Sequence, residues 1–273
     1  MKKTVEELKQ SARNVKRRIV NLAYIAGNEG AHVGPALSIS DIMTVLYGDV
    51  MDYRADDPNW EERDRCILSK GHACLGIYAP LIENGILTEE DGKTFNQPHT
   101  NLAGHPSGIG VSGIEHPAGS LGHGLSVGCG MALAGKVNKQ SYKTYVIIGD
   151  GESEEGSIWE AAMFAKKYKL GNLVAIIDVN GFQYGGTTTD IMDLDPIEER
   201  WRAFGWNVIT VDGNDVAQLQ KVLDKKNLKS DQPTCVVAYT VKGSGLSFAE
   251  NNNEWHHNKV DHATLEQALK ELA

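Results

Sequence analysis

Apolar residues recur at Val5, Leu8, Ala12, Val15, Ile19, Leu22, Ala23 and Ala26, the i, i+3/i+4 stripe of an amphipathic helix over residues 4–27 that ends at Gly27. A glycine-punctuated loop holding His32 runs on to Pro35, and Ser40 is placed to cap a helix over Asp41 to Tyr47. Residues 64–69, DRCILS, read as a short strand. Gly71-His72-Ala73 then leads into a helix that carries Leu75, Tyr78 and Leu81 and ends near Gly85. Between 92 and 124 Gly, Pro and His dominate, the mark of a loop. Gly119 to Ala134, GSLGHGLSVGCGMALA, reads as a helix, yet it holds five glycines, each destabilising a helix interior by about 1 kcal/mol relative to alanine. Close approach of another backbone or of a flat ligand would explain them, and so would a tight contact between helices.

The clearest unit spans Tyr145 to Tyr184. An apolar run, Tyr145 to Ile148, breaks on Gly149-Asp150-Gly151, an amphipathic segment follows, and a second apolar run ends at Asn180. This is the pattern strand, glycine turn, helix, strand, and such a crossover sets its two strands parallel. Further on, Ile197 to Phe204 and Val216 to Leu223 read as helices, and Trp206 to Val211 and Thr234 to Val241 as strands. Gly243 to Asn258 reads as a polar loop before a short C-terminal helix. The alternation predicts an α/β fold: a doubly wound, mostly parallel sheet with helices on both faces, in a single domain over residues 1–273. No internal repeat or low-complexity linker interrupts the pattern.

A chain of 273 residues can bury an ample core, and 41% hydrophobic with 23% charged residues is ordinary for a globular protein. The formal charge of −9, with no basic cluster beyond Lys16-Arg17-Arg18, argues against nucleic acid or a membrane surface as partner. No apolar run reaches the roughly 20 residues of a membrane span, and the N-terminus is a charged helix rather than a signal peptide, so a cytoplasmic location is expected. Cys66, Cys74, Cys129 and Cys235 lack C-x-x-C spacing, which leaves buried, reduced thiols as the expectation.

Ligands of such sheets sit outside the carboxyl ends of the strands, where Asp150 and Asn180 lie. If the two strands are neighbours, a carboxylate and an amide oxygen converge there, and Gly149 and Gly151 leave room for a ligand that hugs the backbone. Hard oxygen donors beside exposed N–H groups suit a Mg²⁺ that carries a diphosphate. His72 falls at a strand-to-helix turn, where ligand contact and helix capping are equally open. His99, His105, His116 and His123 share the long loop, but no pair has the i, i+4 spacing of a helical zinc motif.

Gly149-Asp150-Gly151 followed by Asn180, each closing a strand pattern, resembles the thiamine diphosphate motif of the thiamine enzymes. The flanks resemble the transketolase family in particular. GAHVG at 30–34, SKGHA at 69–73, GHP at 104–106, GSLGHGLS at 119–126 and KGSGLSFAENNNEWHH at 242–257 stand in the order and spacing of a transketolase N-terminal half. The resemblance covers nearly the whole chain.

It implies that Asp150, the Asn180 side chain and the backbone carbonyl of Phe182 ligate Mg²⁺, with diphosphate oxygens and a water completing the octahedron. The implied cofactor-binding residues are His72, Gly119, Ser120, Leu121, Gly149, Asp150, Gly151, Glu152, Glu155 and Asn180, with Glu155 at a subunit contact near the partner's cofactor. His32, His72, His105 and His256 match histidines that line the active-site channel. The implied reaction moves a two-carbon ketol unit from a ketose phosphate to an aldose phosphate. Each step moves a proton to or from a sugar oxygen, which suits imidazoles neutral near pH 7.

Pro117-Ala118 stands where a threonine-rich pair is usual, His123 where glutamine is, and His257 where many relatives have glycine, so the role of His257 is open. A full transketolase is much longer and carries a second domain. That domain holds the glutamate that activates the aminopyrimidine and most arginines that grip the sugar phosphate. The expectation is therefore the diphosphate-binding subunit of a split transketolase, completed by a C-terminal partner chain in a heterotetramer of two copies of each. The matching subunit of a 2-oxo acid dehydrogenase or deoxyxylulose-phosphate synthase-like enzyme is an alternative, as is a non-catalytic cofactor-binding paralogue.

Overall fold

The computed structural model describes residues 3–107, 110–229 and 231–273. Five strands form one sheet in the order β1 (Arg65–Leu68), β2 (Thr144–Gly149), β3 (Leu173–Val179), β7 (Thr234–Tyr239), β6 (Asn207–Asp212), and each neighbouring pair is parallel. A two-residue hairpin, β4 (Phe182–Gln183) against β5 (Gly186–Thr187), lies just past the end of β3. Successive strand residues serve opposite faces. Tyr145 and Ile147, Val174 and Ile176, and Val236 and Ala238 enter one core, while Val146 and Ile148, Ala175 and Ile177, and Cys235 and Val237 enter the other. With both faces covered, these strands read as unbroken apolar runs.

The first core is covered by α1 (Val5–Ile25), α2 (Val33–Ser38), α3 (Ser40–Val45), α4 (Leu75–Glu83), α10 (Val216–Val222) and α11 (His262–Glu271). The second lies under α6 (Gly124–Val137), α7 (Gly156–Lys167) and α9 (Ile197–Ala203). Strand β2 passes to β3 through α7 on the second face, and β6 returns to β7 through α10 on the first. Reversing direction along the sheet reverses the face, as right-handed crossovers require. The chain likewise leaves β1 toward α4 and β2 toward α7, on opposite faces, so a crevice opens at the carboxyl edge between them.

Several boundaries differ from the sequence pattern. Helix α1 starts with a capping box between Thr4 and Glu7, and Gly27 follows it at φ 61°. Ser40 does not cap a helix. A helix already begins at Val33, because Pro35 in a first turn has no intrahelical N–H bond to lose, and the Ser40 hydroxyl donates to the Leu37 carbonyl at 2.8 Å. The helix expected from Gly119 begins at Gly124, since Gly122 has φ 82°, a conformation outside any right-handed helix. Within that helix Gly128 lets the backbone lie on β2, as a Cβ there would come 2.5 Å from Val146. The loop expected over 92–124 starts inside α5 (Glu89–Lys93), and its residues 108–109 lie outside the described residues. Helix α8 (Thr188–Ile191) follows the hairpin. Among the described residues no helix is long and apolar enough to cross a membrane.

Candidate active site

At the carboxyl edge the sheet ends in a cavity of about 590 Å³, and its floor is built from charged residues placed by strand ends. Asp178, paired with Gly149 in the β2–β3 register, is fully buried. Its carboxylate accepts from Lys70, from the Ser38 hydroxyl at 2.7 Å, from Asn180 Nδ2 at 2.7 Å and from Thr240. Four donors from four segments converge on this one side chain, so the ends of β1, β3 and β7 are tied to α2. A carboxylate can only accept, so Asn180 turns its nitrogen to Asp178 and its oxygen away, where Oδ1 accepts the Phe182 N–H at 3.1 Å.

Asp150, one residue past β2, accepts from the N–H groups of Gly151 at 2.8 Å and Gly181 at 2.6 Å. The second bond joins the two strand ends that the sequence pattern brings together. Burial, reinforced by the neighbouring Asp178, pushes the Asp150 carboxyl up to about 6, the state of an anion short of cations. Glu152 is also buried, and its carboxyl is raised by burial, yet its oxygens accept from the Ser69 hydroxyl and from the N–H groups of Gly122 at 2.9 Å and Gly149 at 3.0 Å. It clasps the ends of β1 and β2 to the loop before α6.

Four histidines expected to share a site do so. The His32 ring lies 5.2 Å from His72, 5.8 Å from His105 and 5.5 Å from His256, centroid to centroid, and His72 stacks on His256 at 5.3 Å. Their backbones come from the start of α2, the turn after β1, the long loop and the segment after β7, so only the fold unites them. Burial, then the like-charged neighbours His257, His256, His105 and Lys242, pushes His32 down to about 3. Burial also brings His72 to about 2 and His256 to about 4, and lowers His105. All four are neutral imidazoles at pH 7, each offering one N–H donor and one acceptor.

Gly119, Leu121, Gly149, Gly151 and Glu155 line the cavity, as does Phe182. Ser120 does not. It faces a neighbouring cavity beside His116 and His123. Sequence reasoning missed Lys70, Lys242 and Asp178. Lys242 is buried, donates to Asn253 Oδ1 at 2.7 Å, lies 3.0 Å from His256 Nδ1 and makes no ion pair among the described residues. Burial and Lys70 push it down to about 8. The available signals were a lysine directly before a glycine at two strand ends, SKG and VKG, and a lone carboxylate inside the apolar run LVAIIDV. Among the described residues no group of three or more His, Cys, Asp or Glu could hold a metal ion, so a cation here would rest on one carboxylate, neutral oxygens and its own ligand.

Residues 9–273 match the family model for the transketolase thiamine diphosphate-binding domain. The chain is 40% identical over 269 residues to one of the subunits of the apulose-4-phosphate transketolase of Phocaeicola vulgatus, covering 98% of this chain and 95% of that one. It is 40% identical over 241 residues to a 6-deoxy-6-sulfo-D-fructose transketolase subunit from a Clostridium species, covering 88% of each. The solved transketolase of Leishmania mexicana superposes with a TM-score of 0.87 at 27% identity, over 100% of this chain and 42% of that one. The chain belongs to the transketolase family and carries its N-terminal, thiamine diphosphate-binding part.

Proposed function

We propose that this chain is the diphosphate-binding subunit of a two-chain transketolase that uses thiamine diphosphate and Mg²⁺ and moves a two-carbon ketol unit from a ketose phosphate to an aldose phosphate. The observation that carries the reading is the join between a cation-seeking carboxylate, Asp150, and a cluster of imidazoles held neutral, in one cavity at a strand-end crevice.

The residues fit the cofactor. Asp150, Asn180 Oδ1 and the Phe182 carbonyl would hold the metal, an oxygen set suited to Mg²⁺. Lys70 and Lys242 bring positive charge to the same wall, where a diphosphate needs it. Gly151 lines the same cavity and packs against Gln183, where a Cβ would come within 3.0 Å, and its N–H is given to Asp150. Gly119 and Leu121 line the cavity, and Glu155, exposed at the start of α7, would meet the partner subunit. When bound, thiamine diphosphate supplies an electron sink for the two-carbon unit. His32, His72, His105 and His256 hold the sugar oxygens and move protons at them. Their neutrality at pH 7 lets each act as donor or acceptor without prior titration.

The relatives named as subunits support the need for a partner chain, which would bring the pyrimidine-binding and C-terminal domains in a heterotetramer of two copies of each chain. Their names add apulose-4-phosphate and 6-deoxy-6-sulfo-D-fructose to the candidate substrates. Co-expression with the C-terminal polypeptide, followed by an assay of two-carbon transfer across a panel of ketose and aldose phosphates, tests the proposal. Transfer that requires both chains is expected, and absence of transfer by the assembled pair sinks it.

A further inference from the structure

The segment from Gly113 to Gly122 brings Gly119 and Leu121 to the wall of the first cavity. A Cβ at Gly119 would meet nothing within 4 Å, and Leu121 is 37% exposed, so this stretch is held by its ends rather than by packing along its length. The later end is the N–H of Gly122, which donates to Glu152 at 2.9 Å. The earlier end is Ala118. Its N–H donates to the Pro106 carbonyl at 2.9 Å, and its own carbonyl lies where a Cβ on Gly71 would collide with it.

Three residues before Ala118, Glu115 takes no part in the cavity wall and is almost wholly buried. Its carboxylate accepts from Arg63 Nη2 at 2.8 Å, and the two side chains are only 9% and 17% exposed. Arg63 is fixed in turn, since its Nη1 donates to the Trp60 carbonyl at 3.3 Å. Arg63 stands two residues before the edge strand β1 and Gly71 three residues after it, so the contacts that hold Glu115 and Ala118 come from opposite ends of that strand. At the start of the segment Gly113, with φ 83°, sits where any Cβ would collide with Leu81.

Burial raises the Glu115 carboxyl, with Arg63 and Arg65 opposing the rise. A buried ion pair adds little net stability, because desolvating both charges offsets their attraction, and an apolar pair of similar size often serves the fold as well. A guanidinium fork facing a carboxylate does fix direction and distance, which apolar side chains do not. Stability therefore gives no reason for the pair, whereas the place of Glu115 in the chain does.

We propose that Glu115 is a positioning residue for the cofactor: paired with Arg63, it sets the register of the segment that carries Gly119 and Leu121 to the cavity wall. The inference deepens the transketolase reading and rests on it for the identity of the cofactor. The ordering of the segment does not depend on that identity.

The test replaces the ion pair with an apolar one, Arg63→Met with Glu115→Leu, in the full chain. Hydrogen exchange read by mass spectrometry should quicken by about tenfold at the N–H groups of Ala118 and Gly122, while β2 and β3 keep their wild-type rates and Tm holds. Unchanged exchange at Ala118 and Gly122 overturns the proposal. A rise that spreads through β2 and β3 does so too, since the pair would then support the whole fold. Arg63→Lys keeps the charge but loses the fork, and should give the same local rise with smaller amplitude even if the double variant fails to fold. Wild-type exchange in Arg63→Lys overturns the proposal by itself.

Calorimetric titration of thiamine diphosphate with Mg²⁺ should show a Kd about tenfold weaker in the double variant. Glu115→Gln, which still offers Arg63 an acceptor oxygen, should recover most of that affinity. An equal Kd in the double variant and the wild type overturns the positioning role. A wild-type chain that binds no thiamine diphosphate, while exchange still responds to the double variant, would remove the cofactor reading and leave the anchoring of the segment standing.

Discussion

At the floor of the first cavity Asp178 is fully buried and accepts from Lys70, Ser38, Asn180 and Thr240, while at its mouth Tyr184 is 79% exposed and Met192 56% exposed. Floor groups have partners within the chain, which fixes their geometry before any ligand arrives. Mouth groups are large and apolar with water on one side, and Tyr184 is held chiefly through its carbonyl, which accepts from Asn253 at 3.0 Å, and by the edge of His256. A preorganised floor under an open mouth suits the proposed half-site, in which this chain would grip the charged end of the cofactor and a partner surface would close over the rest.

The contrast can be broken most forcefully at Asp178. Asp178→Ala leaves the Lys70 ammonium buried without its partner, and unfolding by denaturant should show a loss of about 3–5 kcal/mol. A loss below about 1 kcal/mol would falsify the claim that the floor is a folded, interdependent network. Glu152→Ala strands the N–H groups of Gly122 and Gly149, so a loss of about 1–3 kcal/mol is expected in the same measurement.

The histidines give a graded effect of determined sign. His32, His72 and His256 have folded pKa values below the free 6.5, so as pH falls the unfolded chain takes up protons first. The stability they contribute is complete above 6.5 and is lost progressively toward their folded values. Asp150, raised to about 6, works in the opposite direction as pH falls through its folded value, but between pH 7 and 6 it is one group against three. Tm should fall across that window, and less steeply in His72→Asn. A Tm that holds or rises on acidification contradicts the neutral cluster. At the mouth the effect on the isolated chain is smallest. Tyr184→Ala should change stability by no more than about 0.5 kcal/mol yet lower transfer by the assembled complex. A large destabilisation would mean that Tyr184 is part of the fold.

The β2 to β3 unit was legible because its information is local: an apolar run, a glycine turn and an amphipathic helix announce themselves within forty or so residues, and Asp150 and Asn180 fall at the ends so marked. The short helix α2 was hidden, since Gly34 and Pro35 read as loop residues although a first helical turn tolerates both. The Asp178 network was illegible for another reason. Ser38, Lys70, Asn180 and Thr240 meet only after the sheet has formed, and no periodicity links residues 140 positions apart, the separation of Ser38 from Asp178. The histidines of the channel came from motif resemblance, and His257 stood beside one of them without a pattern to say that it faces the same space.

The claim that this chain alone carries the diphosphate clamp is tested most directly by calorimetric titration of thiamine diphosphate into the purified chain with Mg²⁺, with EDTA, and in Asp150→Ala. The account predicts saturable binding with Mg²⁺ that is lost both in EDTA and in the variant. Binding that survives both treatments, or none by the wild-type chain with Mg²⁺, contradicts it.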